Sequence, residues 1–157
     1  MIDTESVHEF LAARRLAVVG ASDDNAHFGG TIYRELRDHG YEVYAVNPNA
    51  QHVAGDPCYP DLASVPAALD GVIVVVNRTA ALEVVGECIE LGLRRVWLFK
   101  GLGGKSATSD EAVRRCEANG VDVIAGACPL MFLEPVGWFH KVHRGMRHLN
   151  RSLSRAS

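Results

Sequence analysis

Short runs of apolar and β-branched residues recur along the chain, and between them the apolar positions follow a helical spacing. The runs predict five buried strands, at residues 16–20, 41–46, 72–76, 95–99 and 121–125. The third run is apolar at every position, which is typical of a central parallel strand covered on both faces. The pattern therefore places residues 72–76 in the middle of a sheet.

The segments between these runs predict helices. One amphipathic segment, residues 6–14, precedes the first strand, and later helices are predicted at residues 29–40, 62–64, 79–90 and 109–118. Residues 55–60, rich in Gly, Asp and Pro, are predicted as a loop. Alternating strands and helices imply parallel strands joined by right-handed crossovers. The predicted fold is α/β: a Rossmann-like, doubly wound, parallel sheet of five strands with helices on both faces.

The composition and the distribution of charge along the chain predict a domain boundary. The chain has 157 residues, 48% of them hydrophobic, which suits one domain with a single core. The residues after Glu134 include five Lys or Arg and no acid, whereas residues 1–134 carry a net charge of −8. We therefore expect a Rossmann-like domain at residues 1–134. We expect a basic, helical C-terminal extension at residues 135–157, packed on the domain or trailing it.

Charge and hydropathy argue against several classes of partner. The net charge of −3 gives the whole molecule no electrostatic reason to bind nucleic acid or an anionic membrane. No apolar stretch approaches the roughly 20 residues needed to span a bilayer. Four cysteines without a CxxC pair predict free thiols in a reducing cytosol and no metal site. We expect a cytoplasmic protein with neither membrane nor nucleic acid as a partner.

Ligands of open α/β sheets bind beyond the carboxyl ends of the strands, and phosphates often sit on the first strand-to-helix turn. Gly20 and Ala21 are small enough to let a phosphate approach the backbone N–H groups, and Ser22 adds a hydroxyl donor. Phe28 and Gly29, at the start of the next helix, complete the candidate cofactor-binding residues here. A purely structural tight turn is the alternative.

Two features of this turn differ from a dinucleotide site. The GxGxxG fingerprint is absent, because eight residues separate Gly20 from Gly29. Asp23 and Asp24 follow directly and argue against a bound anion unless they point outward or cap the loop.

The second strand ends at Asn47 and Pro48. An NAD-binding unit normally has Asp or Glu at this place, where the carboxylate accepts hydrogen bonds from the adenosine ribose. The missing acid counts against NAD and is compatible with an adenosine that carries a 3′-phosphate. An ordinary Asn-Pro turn is the alternative.

Polar residues also follow the third and fourth strands. Asn77 and Arg78 come after the most buried strand, so the Arg78 guanidinium is predicted beside the first loop, where it can hold a phosphate bidentately. The alternative is a surface arginine paired with Glu83 or another nearby acid. Lys100 follows the fourth strand in the same way and is a further candidate.

Several motifs occur in a fixed order: VVGAS at residues 18–22, GY at 40–41 leading to VNP at 46–48, CYP at 58–60, and the strand at 72–76 with Arg78. This combination resembles the small stand-alone CoA-binding domain proteins, which are similar in fold to the CoA-binding domain of the succinyl-CoA synthetase alpha subunit. The resemblance covers about residues 10–128. It implies that residues 1–134 bind coenzyme A through Gly20, Ala21, Ser22, Asn47, Pro48, Asn77 and Arg78.

The resulting expectation is a protein that binds coenzyme A or acyl-CoA in a non-catalytic or regulatory role. A homodimer or an acyl-CoA synthetase-related partner fits this interpretation. One alternative is an NAD(P)-binding oxidoreductase or redox sensor on the same sheet. Another is an interaction protein whose pocket is vestigial.

Overall fold

Helices and strands alternate along the chain as the sequence predicts, except that three strands follow one another after the second α-helix. The computed structural model describes residues 3–24, 28–100 and 106–133. The α-helices are α1 (Thr4–Leu11), α2 (Phe28–Asp38), α3 (Arg78–Glu90) and α4 (Asp110–Ala118). The strands are β1 (Arg15–Val19), β2 (Glu42–Val46), β3 (His52–Val53), β4 (Asp56–Tyr59), β5 (Gly71–Val74), β6 (Arg95–Phe99) and β7 (Asp122–Ala127). Short 3₁₀ helices cover Leu62–Ser64 and Pro129–Met131.

All seven strands form one sheet in the order β3-β4-β2-β1-β5-β6-β7. Every neighbouring pair is parallel except β3 and β4, which are antiparallel. The five predicted strands are all present, at β1, β2, β5, β6 and β7. The predicted number of five is wrong within the described residues, because the sheet continues beyond β2 through β4 and β3.

The two additional strands form a hairpin at residues 52–59, which overlaps the segment 55–60 predicted as a loop. Val53 pairs with Asp56, so only Ala54 and Gly55 make the turn. Both turn residues have positive φ angles, +52° and +82°, as a type I′ hairpin turn requires. The prediction failed because the strands are only two and four residues long, and the Gly and Pro residues in this segment are stronger loop signals than so short an alternation.

Helices cover both faces of the sheet, as predicted. On one face, α1 and α2 bury Phe10, Ile32 and Leu36 against strand residues that include Leu16 and Ile73. On the other face, α3 and α4 pack against a second set of strand residues: Ala17, Val19, Val72, Val74, Val96 and Leu98. Residues of β1 and β5 therefore alternate between two cores, which explains why both strands are apolar throughout.

One predicted segment, the basic extension at residues 135–157, lies outside the described residues. The domain boundary at residue 134 stays a prediction for the same reason. All four cysteines are free thiols. Across the described ranges, no helix is both long enough and apolar enough to cross a membrane.

Candidate functional site

Gly20 ends β1 at the point where the two neighbouring strands also end. Its N–H donates to the carbonyl oxygen of Val46 at 2.8 Å, on β2. Its φ angle is +98°, and a Cβ at this position would lie 2.1 Å from the carbonyl oxygen of Val75, just after β5. Only glycine fits, because both the backbone conformation and the contact exclude a side chain.

The first turn of α2 packs directly on the loop that follows Gly20. A Cβ on Gly29 would lie 2.1 Å from the carbonyl oxygen of Gly20, and a Cβ on Gly30 would lie 1.9 Å from that of Ser22. These two glycines let the helix start approach the loop backbone. The partial positive charge of the α2 N-terminus therefore lies beside residues 20–22, where it favours an anion.

Asn47 joins the tip of β2 to this loop. Its side-chain Nδ2 donates to the carbonyl oxygen of Ala21 at 2.9 Å, and its Oδ1 accepts from the N–H of Asn49 at 2.9 Å. Its own N–H donates to the carbonyl oxygen of Tyr59, also at 2.9 Å. Asn47 is half-buried and Pro48 is exposed. The structure thus brings the glycine turn and the Asn-Pro tip together, with the Asn47 side chain holding them.

Asp23 does not point at the backbone amides of the glycine turn. Its Oδ1 accepts from the N–H of Ala54 at 2.8 Å and lies 3.9 Å from Nη1 of Arg34. The carboxylate therefore faces the β3–β4 hairpin and a cation. Sequence reasoning missed this contact, since it depends on the hairpin that was predicted as a loop.

The tip of β5 supplies a helix cap and a cation. Asn77 is the N-cap of α3, and its Oδ1 accepts from the N–H of Ala80 at 2.9 Å. Arg78 is the first residue of α3 and is exposed. Among the described residues it has no ion pair, with Glu83 or with any other acid, so its guanidinium is available to a ligand.

Lys100 and Phe28 lie toward the other side of the same sheet end. Lys100 is exposed at the end of β6, and its N–H donates to the carbonyl oxygen of Ala127 at 3.2 Å. Phe28 is 44% exposed, and its ring centre lies 5.6 Å from that of Phe99. Since β5 separates β6 from β1, no described contact joins Lys100 to Gly20 or Asn47.

Two half-buried cysteines also lie near this end. The Cys58 thiol is 3.7 Å from the carbonyl oxygen of Asn47. Cys128 directly follows β7 and is the N-cap of the last 3₁₀ helix. Burial raises the pKa of both thiols, although backbone hydrogen bonds oppose the shift. Both groups therefore favour the neutral thiol over the thiolate.

A tyrosine-lined cleft of about 290 Å³ is bordered by residues of α2, β2 and β4. Tyr33 and Arg37 of α2 both donate to Oδ2 of Asp56 there, at 2.6 and 2.8 Å. These two hydrogen bonds lower the pKa of Asp56. Burial and the Asp56 carboxylate raise the pKa of Tyr33 well above its usual value. The hydrogen bonds from Tyr33 and Arg37 to Asp56 thus attach the β3–β4 hairpin to α2.

The family comparison covers the whole of this sheet end. The CoA binding domain family matches residues 14–134 of the chain. The chain belongs to this family. The matched residues begin just before β1 and continue past β7, so every strand tip described above lies inside the CoA binding domain.

Two curated relatives are longer proteins. Acetate–CoA ligase (ADP-forming) I of Archaeoglobus fulgidus is 33% identical over 118 residues, which is 72% of this chain and 17% of the ligase. The alpha subunit of acetate–CoA ligase (ADP-forming) II of Pyrococcus furiosus is 30% identical over 106 residues, 67% of this chain and 23% of that subunit. The CoA binding domain thus spans about a fifth of the length of these relatives.

A solved structure of similar size shares the fold. A hypothetical protein from Pyrococcus horikoshii matches with a TM-score of 0.75 and 27% identity, over 83% of this chain and 89% of that one. The similarity extends over nearly the whole of both chains, so this architecture also occurs in a protein not much longer than the CoA binding domain itself.

Proposed function

We propose that this chain binds coenzyme A or its acyl thioesters at the carboxyl ends of β1, β2 and β5. The observation that carries the proposal is the family match over residues 14–134, which includes all three strand tips. The geometry supports it, because positive charge at this end comes from the α2 N-terminus and from Arg78, which forms no ion pair with the described residues. The comparisons give no support to the NAD(P)-binding or vestigial-pocket alternatives.

In the proposed site, the α2 N-terminus and the Arg78 guanidinium hold the phosphates of the ligand. The Asn47-Pro48 tip lines the adenosine, and an adenosine with a 3′-phosphate fits a strand tip without a carboxylate. Asn77 acts by capping α3 and so fixes the direction of Arg78. Phe28 and Lys100 contribute from the β6 side, where the exposed Phe28 ring offers an apolar surface.

Thermal-shift and calorimetric titrations test the ligand. We expect coenzyme A and acetyl-CoA at about 1 mM to raise the melting temperature, since a ligand of the native state stabilises it. The shift should shrink with 3′-dephospho-CoA and be absent with NAD⁺ and NADP⁺. Stabilisation by NAD⁺ alone, or by none of these compounds, would show that the proposed function is wrong.

Arg78→Ala tests the phosphate contact. Loss of a charge-assisted hydrogen bond should weaken coenzyme A binding by about 1.5 to 3 kcal/mol, measured by calorimetry. Arg94→Ala is the matched control, because Arg94 is also exposed but precedes β6 at the opposite end of the sheet. Equal affinities for Arg78→Ala and the parent would contradict the assignment of Arg78.

We propose a binding role without catalysis, and a partner related to the acyl-CoA synthetases. The backbone amides and the guanidinium assigned to the ligand hold an anion and do not titrate near neutral pH. The partner is inferred from the ligases that this chain resembles. Formation of acetyl-CoA from acetate, ATP and coenzyme A by the purified chain alone would contradict the non-catalytic role. Light scattering tests the predicted homodimer.

A further inference from the structure

Besides the bond from the Gly20 N–H to Val46, two hydrogen bonds that involve side chains attach the glycine loop, residues 20–24, to neighbouring elements. Asn47 Nδ2 donates to the carbonyl oxygen of Ala21, and two residues later Asp23 Oδ1 accepts from the N–H of Ala54. Ser22 lies between these two attachments. The first comes from the tip of β2 and the second from the β3–β4 hairpin, 31 residues away in sequence.

The hairpin turn offers Asp23 a fixed donor. Ala54 has a φ of +52°, a conformation that is unfavourable for an L-residue, so the direction of its N–H depends on contacts that stabilise the turn. Arg37 Nη1 donates to the carbonyl oxygen of Ala54 at 2.9 Å and to Asp56 at 2.8 Å. Both backbone polar groups of Ala54 are therefore bonded, one to α2 and one to the loop.

The charge of Asp23 is directed toward this hairpin and not toward the ligand end of the loop. Nη1 of Arg34 lies 3.9 Å from Asp23 Oδ1 and lowers the cost of holding a carboxylate near a proposed anion site. Only one oxygen of the carboxylate is needed to accept from Ala54. An amide side chain of the same shape can make the same hydrogen bond without the charge.

We propose that Asp23 is a positioning residue for the coenzyme A phosphates: its bond to Ala54 fixes Ser22 and the loop amides in the conformation that accepts them. The inference rests on the proposed function, since it names a determinant of affinity at the same site. Asp23 acts through the loop backbone and does not contact the ligand. Its carboxylate charge is dispensable, whereas its acceptor oxygen is not.

Coenzyme A affinities of Asp23→Asn and Asp23→Ala test this assignment. Asp23→Ala loses the hydrogen bond and should weaken binding by about 3- to 10-fold. Asp23→Asn keeps an acceptor for the Ala54 N–H and should stay within about twofold of the parent. Glu90→Ala, which removes an exposed acid at the C-terminal end of α3, controls for the change in net charge.

Two results would overturn the proposal. Tighter binding by both Asp23 variants, with no change in Glu90→Ala, would mean that Asp23 only repels the anionic ligand. Equal affinities for Asp23→Ala and the parent would mean that the Ala54 bond does not affect the site. Weak binding by Asp23→Ala together with rescue by Asp23→Asn is the supporting result.

Amide hydrogen exchange of the ligand-free proteins separates this inference from the proposed function. We expect faster exchange in residues 20–24 and around Ala54 for Asp23→Ala, and parent-like exchange for Asp23→Asn. Unchanged exchange in Asp23→Ala would refute the positioning role even if coenzyme A binds. If the parent protein binds no coenzyme A, the proposed function fails while the exchange result still decides whether Asp23 positions the loop.

Discussion

At the scale of single residues, three glycines shape the sheet end that we propose binds coenzyme A. Gly20, Gly29 and Gly30 each place backbone where a side chain would meet a carbonyl oxygen at about 2 Å. Gly20 alone also has a positive φ angle, so it combines a conformational and a steric requirement. The close approach of α2 to the loop therefore depends on the absence of side chains at Gly29 and Gly30, and the packing beside β5 depends on the absence of one at Gly20.

Replacement of Gly20 by alanine should destabilise the fold and abolish coenzyme A binding. The positive φ costs about 1 to 2 kcal/mol, and the overlap with Val75 requires β1 and β5 to move apart. We expect a total loss of about 3 kcal/mol or more, measured as the free energy of unfolding in urea.

Gly86→Ala is the control for that substitution. Gly86 lies inside α3, and a Cβ there would meet nothing within 4 Å. The Gly86→Ala substitution should therefore stabilise the protein by about 0.5 to 1 kcal/mol, since glycine is a poor helix former. A small effect of Gly20→Ala, similar in size to that of Gly86→Ala, would contradict the steric argument.

At the scale of elements, the β3–β4 hairpin, which the sequence did not predict, connects several parts of the fold. Its contacts are made by side chains from two other elements: Asp23 from the glycine loop, and Tyr33 and Arg37 from α2. The hairpin also extends the sheet, because β4 pairs with β2 at Val46 and Tyr59. It therefore ties the α2 face, the sheet edge and the glycine loop together.

The Asp56 carboxylate should make the stability of this element depend on pH. Hydrogen bonds from Tyr33 and Arg37 lower the pKa of Asp56 in the folded protein, so its contribution is complete above the unfolded pKa of about 4 and is lost as the pH falls through the folded value. Asp56→Asn should lower the free energy of unfolding by about 1 kcal/mol at pH 7. This loss is smaller than for a buried hydrogen bond to a charged group, because the Asp56–Arg37 pair is partly exposed to solvent.

Urea unfolding of the parent and of Asp56→Asn between pH 2 and pH 7 checks the predicted pH dependence. The quantity compared at each pH is the difference in the free energy of unfolding between the two proteins. The difference in the free energy of unfolding should be constant near neutral pH and shrink toward acid. A difference independent of pH over this range would show that Asp56 is not held as an ion by Tyr33 and Arg37.

At the scale of the whole molecule, the two layers of helices separate the cysteines into two classes. Cys88 of α3 and Cys116 of α4 are fully buried in the same core. Burial raises the pKa of Cys88 to about 12 and that of Cys116 to about 11. Cys58 and Cys128 are half-buried near the carboxyl ends of the strands.

Alkylation should therefore distinguish the two classes. With iodoacetamide at pH 8, we expect mass spectrometry to find Cys58 and Cys128 modified first, because only thiolates react readily and buried groups must await unfolding. Cys88 and Cys116 should react at the rate of global unfolding and faster in urea. Early modification of Cys88 in the native protein would show that the α3–α4 layer opens independently.

Much of the fold follows from local pattern. The apolar run at residues 72–76 predicted the central strand, and Gly40, Gly92 and Gly120 all follow helices, where each has a positive φ angle. Asn77 was predicted as a site residue at a strand tip, and the structure adds that it caps α3. The hairpin could not be predicted, because Ala54 is an unusual residue for a type I′ turn and its bonding partners are distant in sequence.

Local sequence pattern predicts five of the seven strands, the helices between them, the burial of the central strands and the places of Gly20, Asn47 and Arg78 after strands. Each follows from periodicity over a few neighbouring residues or from a fixed place after a strand. Tertiary structure alone decided that Asn47 bonds to Ala21 and that Asp23 bonds to Ala54. These contacts join residues 26 and 31 positions apart, so only the packed sheet and its crossovers bring them within hydrogen-bond distance.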